Sequence, residues 1–140
     1  VVIRRIVRDL NMPVDIVVAP IVREPDGLAL SSRNAYLSPA DRKRATCLSR
    51  ALFKAEEAFQ AGERSSERLL DLARQELGEV DELHYLELVD AQNLDPLGRE
   101  VTRTSAMCVA AVIGKTRLID NVLLAPDPNA AHFTSHLEMD

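Results

Sequence analysis

The chain is poor in the residues that staple or stiffen small folds: two cysteines, five glycines and no tryptophan among 140 residues, with aromatics at 4%. Two thiols cannot build the disulfide framework of a small secreted domain, and Cys47 in a helical pattern and Cys108 in an apolar strand-like run read as reduced core residues. Five glycines with seven prolines exclude collagen-like and low-complexity designs. Apolar runs such as residues 106–113 stop far short of the roughly 20 residues of a membrane-spanning helix. The chain does not open on the charged and apolar regions of a signal peptide, so a soluble, cytoplasmic chain with no membrane partner is expected. Positive charge is also short: 17 Lys and Arg against 22 Asp and Glu leave a net charge of -5, which disfavours nucleic acid as a partner.

What is present is enough to fold. Hydrophobic residues make up 46% of the chain and charged ones 28%, the proportions of a globular protein. Ile3, Ile6, Val7 and Leu10 recur at helical spacing opposite Arg4, Arg5, Arg8 and Asp9, which predicts an amphipathic helix ended by Asn11-Met12-Pro13. Residues 14–19 form a β-branched run between Pro13 and Pro20, the pattern of a strand buried on both faces. Residues 21–37 are irregular, with Pro25-Asp26-Gly27 as a turn signal. A long helix is then expected, with Ser38 as N-cap, Pro39 at its first position, Asp41 in the capping box and Gly62 at its end. Ala45, Leu48, Leu52, Ala55 and Phe59 form its inner stripe.

A second helix is expected over residues 66–77, after which the hydrophobic period changes from 3.6 to 2. Strands are predicted over residues 83–89, 106–113 and 117–124, the last two joined by a tight turn at Gly114-Lys115. Two helices on a mainly antiparallel sheet is an α+β unit. A domain boundary is expected near Ser38, giving an opening part, residues 1–37, too short to enclose a core unless neighbouring strands come from elsewhere. Residues 38–124 form a small α+β domain and residues 125–140 a loose tail.

Chemistry concentrates in the irregular segment. Ser31 and Ser32 offer hydroxyls and amides to phosphate oxygens, and Arg33 adds a guanidinium able to bridge two of them, on a loop after a predicted strand, where open α/β sheets bind nucleotides. A capped surface turn is the plainer reading of the same tetrad. The segment 15–37, Asp-Ile-Val-Val-Ala-Pro-Ile-Val-Arg-Glu-Pro-Asp-Gly-Leu-Ala-Leu-Ser-Ser-Arg-Asn-Ala-Tyr-Leu, resembles the pantothenate synthetase (pantoate beta-alanine ligase) family. The resemblance continues through Asp41-Arg42-Lys43, Ala61-Gly62-Glu63, residues 85–90 and residues 116–121.

This resemblance implies a C-terminal portion of an ATP-dependent ligase: the last helix and strand of a Rossmann-like nucleotide-binding domain, then a small lid-like domain. It implies ATP, pantoate and β-alanine as substrates, Mg2+ with the ATP, and a homodimer for the full-length protein. Leu30, Ser31, Ser32 and Arg33 correspond to the family's ATP-binding loop, and Val22 to a backbone contact with adenine. Asp26 and Gly27 would aim the loop and Asn34 would brace it. The family's His-x-Gly-His motif and pantoate-holding glutamines have no counterpart here, so no catalytic residue is expected in this chain and the chain alone is expected to be inactive. A non-catalytic lid that docks on a partner domain is the alternative.

Other residues read more plainly. His132 and His136 have a metal-like spacing but no third ligand, and no metal site is expected. Arg42, Lys43 and Arg44 could contact ATP phosphates or pyrophosphate but read more plainly as a solvated basic face, and Phe53 and Tyr85 read as core or helix-packing aromatics. Asp120-Asn121, unfavourable in a strand, marks a bulge or a polar contact between the small domain and its neighbour.

Overall fold

The computed structural model describes residues 1–126. Helix α1 (Val2–Asp9) is followed by extended chain, a 3-10 turn (Ser32–Tyr36) and three helices, α2 (Pro39–Ala45), α3 (Cys47–Gln60) and α4 (Ser66–Gln75). Strands β1 (Glu82–Asp90), β2 (Ser105–Ile113) and β3 (Thr116–Leu124) then form an antiparallel sheet in the order β1-β2-β3. His132 and His136 lie outside the described residues, as does the tail from residue 127 onward.

The period-2 reading places every strand within a residue of its end. Odd-numbered β2 residues, Met107, Val109, Ala111 and Ile113, face α3 and α4 and join Leu48, Leu52, Phe59 and Leu69 in one core. Alternation is blurred in β2 because small residues on its other face are shaded by their cross-strand neighbours: Ala110, paired with Tyr85 and Ile119, is fully buried although Ile119 itself is exposed. Gly114 and Lys115 turn β2 into β3. A positive φ at Gly114 alone of the two is the pattern of a type II′ hairpin, whose twist matches that of the strands.

Three expectations are corrected, and one pair of alternatives is decided. Residues 14–19 form no strand; Val17 is 78% exposed and Val14 and Val18 are exposed beside it. A run patterned for burial on two faces has no sheet neighbour here, and a lone strand leaves its backbone groups unpaired. The long helix is divided at Thr46, whose Oγ donates to the Lys43 carbonyl at 2.7 Å and competes with the main-chain ladder. The sheet is therefore accompanied by three helical segments rather than two. Of the two readings of Asp120-Asn121 the polar contact is the one present, Asp120 pairing with Arg23, while the β2–β3 register runs unbroken and the irregularity falls in β1, between Leu83 and Tyr85. Cys47 is buried as expected, whereas Cys108 is only half-buried, because its side chain points to the face without helices.

A hairpin that carries a candidate anion site

The sequence from Val22 to Leu30 folds into a narrow hairpin of its own. The Leu30 amide donates to the Val22 carbonyl at 2.9 Å, Arg23 and Ala29 form a bridge, and the Glu24 amide donates to the Leu28 carbonyl at 2.8 Å. Its tip is a turn with Pro25 at the second position and Gly27 at the fourth, closed by the Gly27 amide on the Glu24 carbonyl. Proline presets the φ of the second turn residue, and a positive φ at Gly27 (+93°) returns the chain to the opposite strand. A Cβ at Gly27 would stand 3.1 Å from the Ser49 hydroxyl and 3.4 Å from the Phe53 ring, so the tip also rests directly on α3.

Three side-chain contacts tie this hairpin to the rest of the fold. Asp26 accepts two bonds from the Arg42 guanidinium, at 2.7 and 3.1 Å, and one from the Leu28 amide. The Arg42 contact holds the Asp26 carboxyl below its ordinary value. Arg23 makes a paired contact with Asp120 on β3 and stacks over Phe53. Leu28, buried at the base, belongs to the main core.

Beyond Leu30 the chain enters the 3-10 turn. Ser31 is its N-cap: extended in backbone, with its hydroxyl oxygen accepting the Arg33 amide at 3.2 Å. That bond uses the oxygen as acceptor and leaves the O–H able to donate. Asn34 donates from Nδ2 to the Ala29 carbonyl at 3.1 Å, fastening the turn back to the hairpin, while its Oδ1 is buried without a partner. Ser31, Ser32 and Arg33 are exposed, and among the described residues Arg33 makes no ion pair. Val22 and Leu30, one hydrogen bond apart, are exposed as well. All eight residues singled out from the sequence thus lie on one continuous feature. A shallow, open depression of about 450 Å3 lies apart from this hairpin, lined by Leu70, Arg74 and Arg99.

Two expectations about neighbouring side chains change. The basic run at 42–44 is a solvated face only at Lys43: Arg42 holds Asp26, and Arg44 holds both Asp41 (2.7 Å) and Asp81 (2.9 Å). Phe53 is not a core aromatic but a 38% exposed platform under Arg23. Sequence reading missed Arg23 altogether; its one signal was the unplaced acid in β3, which needed a cation from another element.

Two hydroxyls able to donate and a guanidinium with no ion pair among the described residues stand together on a hairpin braced from three sides, the donor types that enzymes handling phosphate esters set against anionic oxygens. Comparison with known proteins specifies the kind. Residues 1–123 match the model of the pantoate-beta-alanine ligase family, and the chain belongs to that family. It is 52% identical to pantothenate synthetase 1 of Bradyrhizobium diazoefficiens over 91% of this chain, and 49% identical to the pantothenate synthetase of Trichlorobacter lovleyi. A crystal structure of pantothenate synthetase from Thermus thermophilus superposes with a TM-score of 0.83 at 42% identity, covering 89% of this chain and 45% of that one. A more distant ligase, from Francisella tularensis and complexed with beta-gamma ATP and beta-alanine, matches at 28% identity and a TM-score of 0.54, over 86% of this chain and 38% of that one. The chain spans about 45% of the length of its curated relatives from Bradyrhizobium and Trichlorobacter.

Proposed function

We propose that this chain supplies the nucleotide-holding loop and the small domain of a ligase that joins pantoate to β-alanine at the expense of ATP. In the first step a pantoate carboxylate oxygen attacks the α-phosphorus and pyrophosphate leaves. In the second the β-alanine amine attacks the acyl carbon of the adenylate, AMP leaves, and the amine gives up a proton. Neither step needs a protein nucleophile; both need charge on phosphate oxygens to be met by fixed donors. Ser31, Ser32 and Arg33 provide such donors. Val22 and Leu30 offer main-chain and apolar contact to the adenine end. Asp26, Gly27 and Asn34 fix the frame.

The observation that carries this reading is the bond between Val22 and Leu30. It keeps Val22 beside Leu30 and the serines that follow, which supports reading them as one ligand-facing strip in a family whose Francisella member is complexed with beta-gamma ATP and beta-alanine. Among the described residues no cluster of three His, Cys, Asp or Glu could hold a metal. A Mg2+ ion accompanying ATP would be held mainly by the phosphates, with one or two carboxylates at most from this part of the chain.

The apolar side chains of residues 1–22 support the further proposal that this chain is catalytically incomplete by itself. Val2, Ile3, Ile6, Leu10, Val17 and Val18 are all exposed. Each is worth about 1.5–3 kcal/mol if buried, which makes the segment one side of a sheet and helix layer completed by other strands of the nucleotide-binding domain. Homodimerisation and a cytoplasmic location belong to the same proposal for the full-length protein; no helix among the described residues is long and apolar enough to cross a membrane.

Pyrophosphate release that depends on pantoate tests the reading. In a full-length ligase containing this chain, Ser32→Ala or Arg33→Ala is expected to slow it by about 10²-fold, the usual effect of losing one charge-stabilising donor. The 140-residue chain alone is expected to give none. Wild-type rates in both variants would remove the loop from the mechanism and favour the alternative, a lid that docks without touching nucleotide.

A further inference from the structure

The two chemical steps make no demand on Arg23 or Asp120, yet the fold buries these residues against each other. The Asp120 side chain is 2% exposed and that of Arg23 18%. Two nearly parallel bonds join them, Nη1 to Oδ2 at 2.7 Å and Nη2 to Oδ1 at 2.9 Å. Nη1 also donates to the Gly27 carbonyl at 3.0 Å, and the guanidinium lies over the Phe53 ring, 4.8 Å from its centre. Burial in this corner pushes the Glu56 carboxyl up, and the nearby Arg23 opposes that shift.

An aspartate in mid-strand is unfavourable, and desolvating an ion pair commonly offsets its attraction. What a bidentate pair provides beyond attraction is direction, because the planar fork fixes both distance and angle. Here it fixes the hairpin to β3 at a telling place. Arg23 follows Val22 in the chain and bridges to Ala29, which precedes Leu30. The anchored pair is thus next to the pair proposed to meet the nucleotide. The second tie, Asp26 to Arg42, is more exposed and holds only the tip.

We propose that Arg23 and Asp120 are positioning residues for the nucleotide: their ion pair locks the 22–30 hairpin to β3, so that Leu30, Ser31, Ser32 and Arg33 move with the small domain as one body. This rests on the reading of that loop as the nucleotide loop. Asp120 touches no substrate; it acts through Arg23 and the hairpin.

Amide hydrogen exchange and ATP titration, both followed by NMR on the 140-residue chain, test the two parts separately. Without nucleotide, Asp120→Asn and the milder Arg23→Lys are expected to speed exchange of the Leu28 and Leu30 amides by about tenfold, with Val109 and Ala111 in β2 unchanged. With ATP, the Leu30 to Arg33 amides of the unaltered chain shift, and both variants need about ten times more ATP for the same shift. Unchanged loop exchange in both variants, or equal acceleration in β2, overturns the positioning role. So does undiminished ATP affinity in variants whose loop has loosened. An unaltered chain whose loop ignores ATP overturns the nucleotide reading, while the exchange rates still decide whether the ion pair holds the hairpin.

Discussion

At Gly27 a single missing Cβ meets two requirements at once: a backbone with φ of +93° and a seat against Ser49 and Phe53. Gly27→Ala is expected to lower stability by about 1–3 kcal/mol, the usual range for a side chain held in such a backbone region. The fall in the urea midpoint at unchanged slope measures it. The thiols make a second contrast. Burial, with Glu79 adding to it and Arg50 and Arg44 opposing, pushes the Cys47 thiol up to about 11. Burial and Glu87 also raise Cys108, but it is half-buried whereas Cys47 is fully enclosed. A thiol reagent at pH 8 is therefore expected to label Cys108 first and Cys47 only on unfolding, readable by mass spectrometry of tryptic peptides. Turn chemistry at this scale was legible, since Pro25-Asp26-Gly27 carries its own geometry. The partners of Arg42 and Arg44 were not, because Asp26 and Asp81 lie 16 and 37 residues away and no periodicity links them.

Between elements, the join of α2 to the sheet is electrostatic. Arg44 spans Asp41 and Asp81, the Gly114 amide donates to Asp81 at 2.6 Å, and a Cβ on Gly114 would collide with the Asp41 carboxylate. The Arg44 bond first, and the Gly114 amide second, hold the Asp81 carboxyl below its ordinary value of 3.8. A carboxyl depressed in the folded state contributes stability that is whole above its unfolded value and is lost as pH falls through the folded one. Urea midpoints are thus expected to be flat in this contribution near neutrality and to fall below about pH 4, with Asp81→Asn removing part of that acid slope. Elements that satisfy their own hydrogen bonds, or pair with a sequence neighbour, were readable: α3, α4 and the β2–β3 hairpin carry their period and their turn signals within a few residues. Residues 14–19 were not, because a strand is a property of its neighbours as much as of its own β-branched run. Thr46 was missed for a related reason: its hydroxyl competes with the ladder locally, while the apolar stripe runs on past it.

For the molecule as a whole, the contrast between the two parts of the chain is the main physical fact. Residues 28–124 share one core, whereas residues 10–22 have no ladder and little burial. Brief proteinase K digestion is expected to cut first within residues 10–22 and to leave a fragment carrying the hairpin and the sheet, identified by intact mass; first cuts inside β2 or β3 would contradict the division. Length and charge could not reveal this contrast, since residues 10–22 are the more apolar stretch in sequence and the difference lies in which partners each part finds.

The two ends of the Arg23 to Asp120 contact are 97 residues apart. On a ribosome adding about 5–20 residues per second, the loop is made roughly 5–20 s before its counter-ion exists. During that interval Arg23 carries an unmatched charge on a hairpin with no strand to lean on. The loop is therefore synthesised well before it is set, and a chain stalled before β3 would carry all the candidate ligand residues without the pair that aims them.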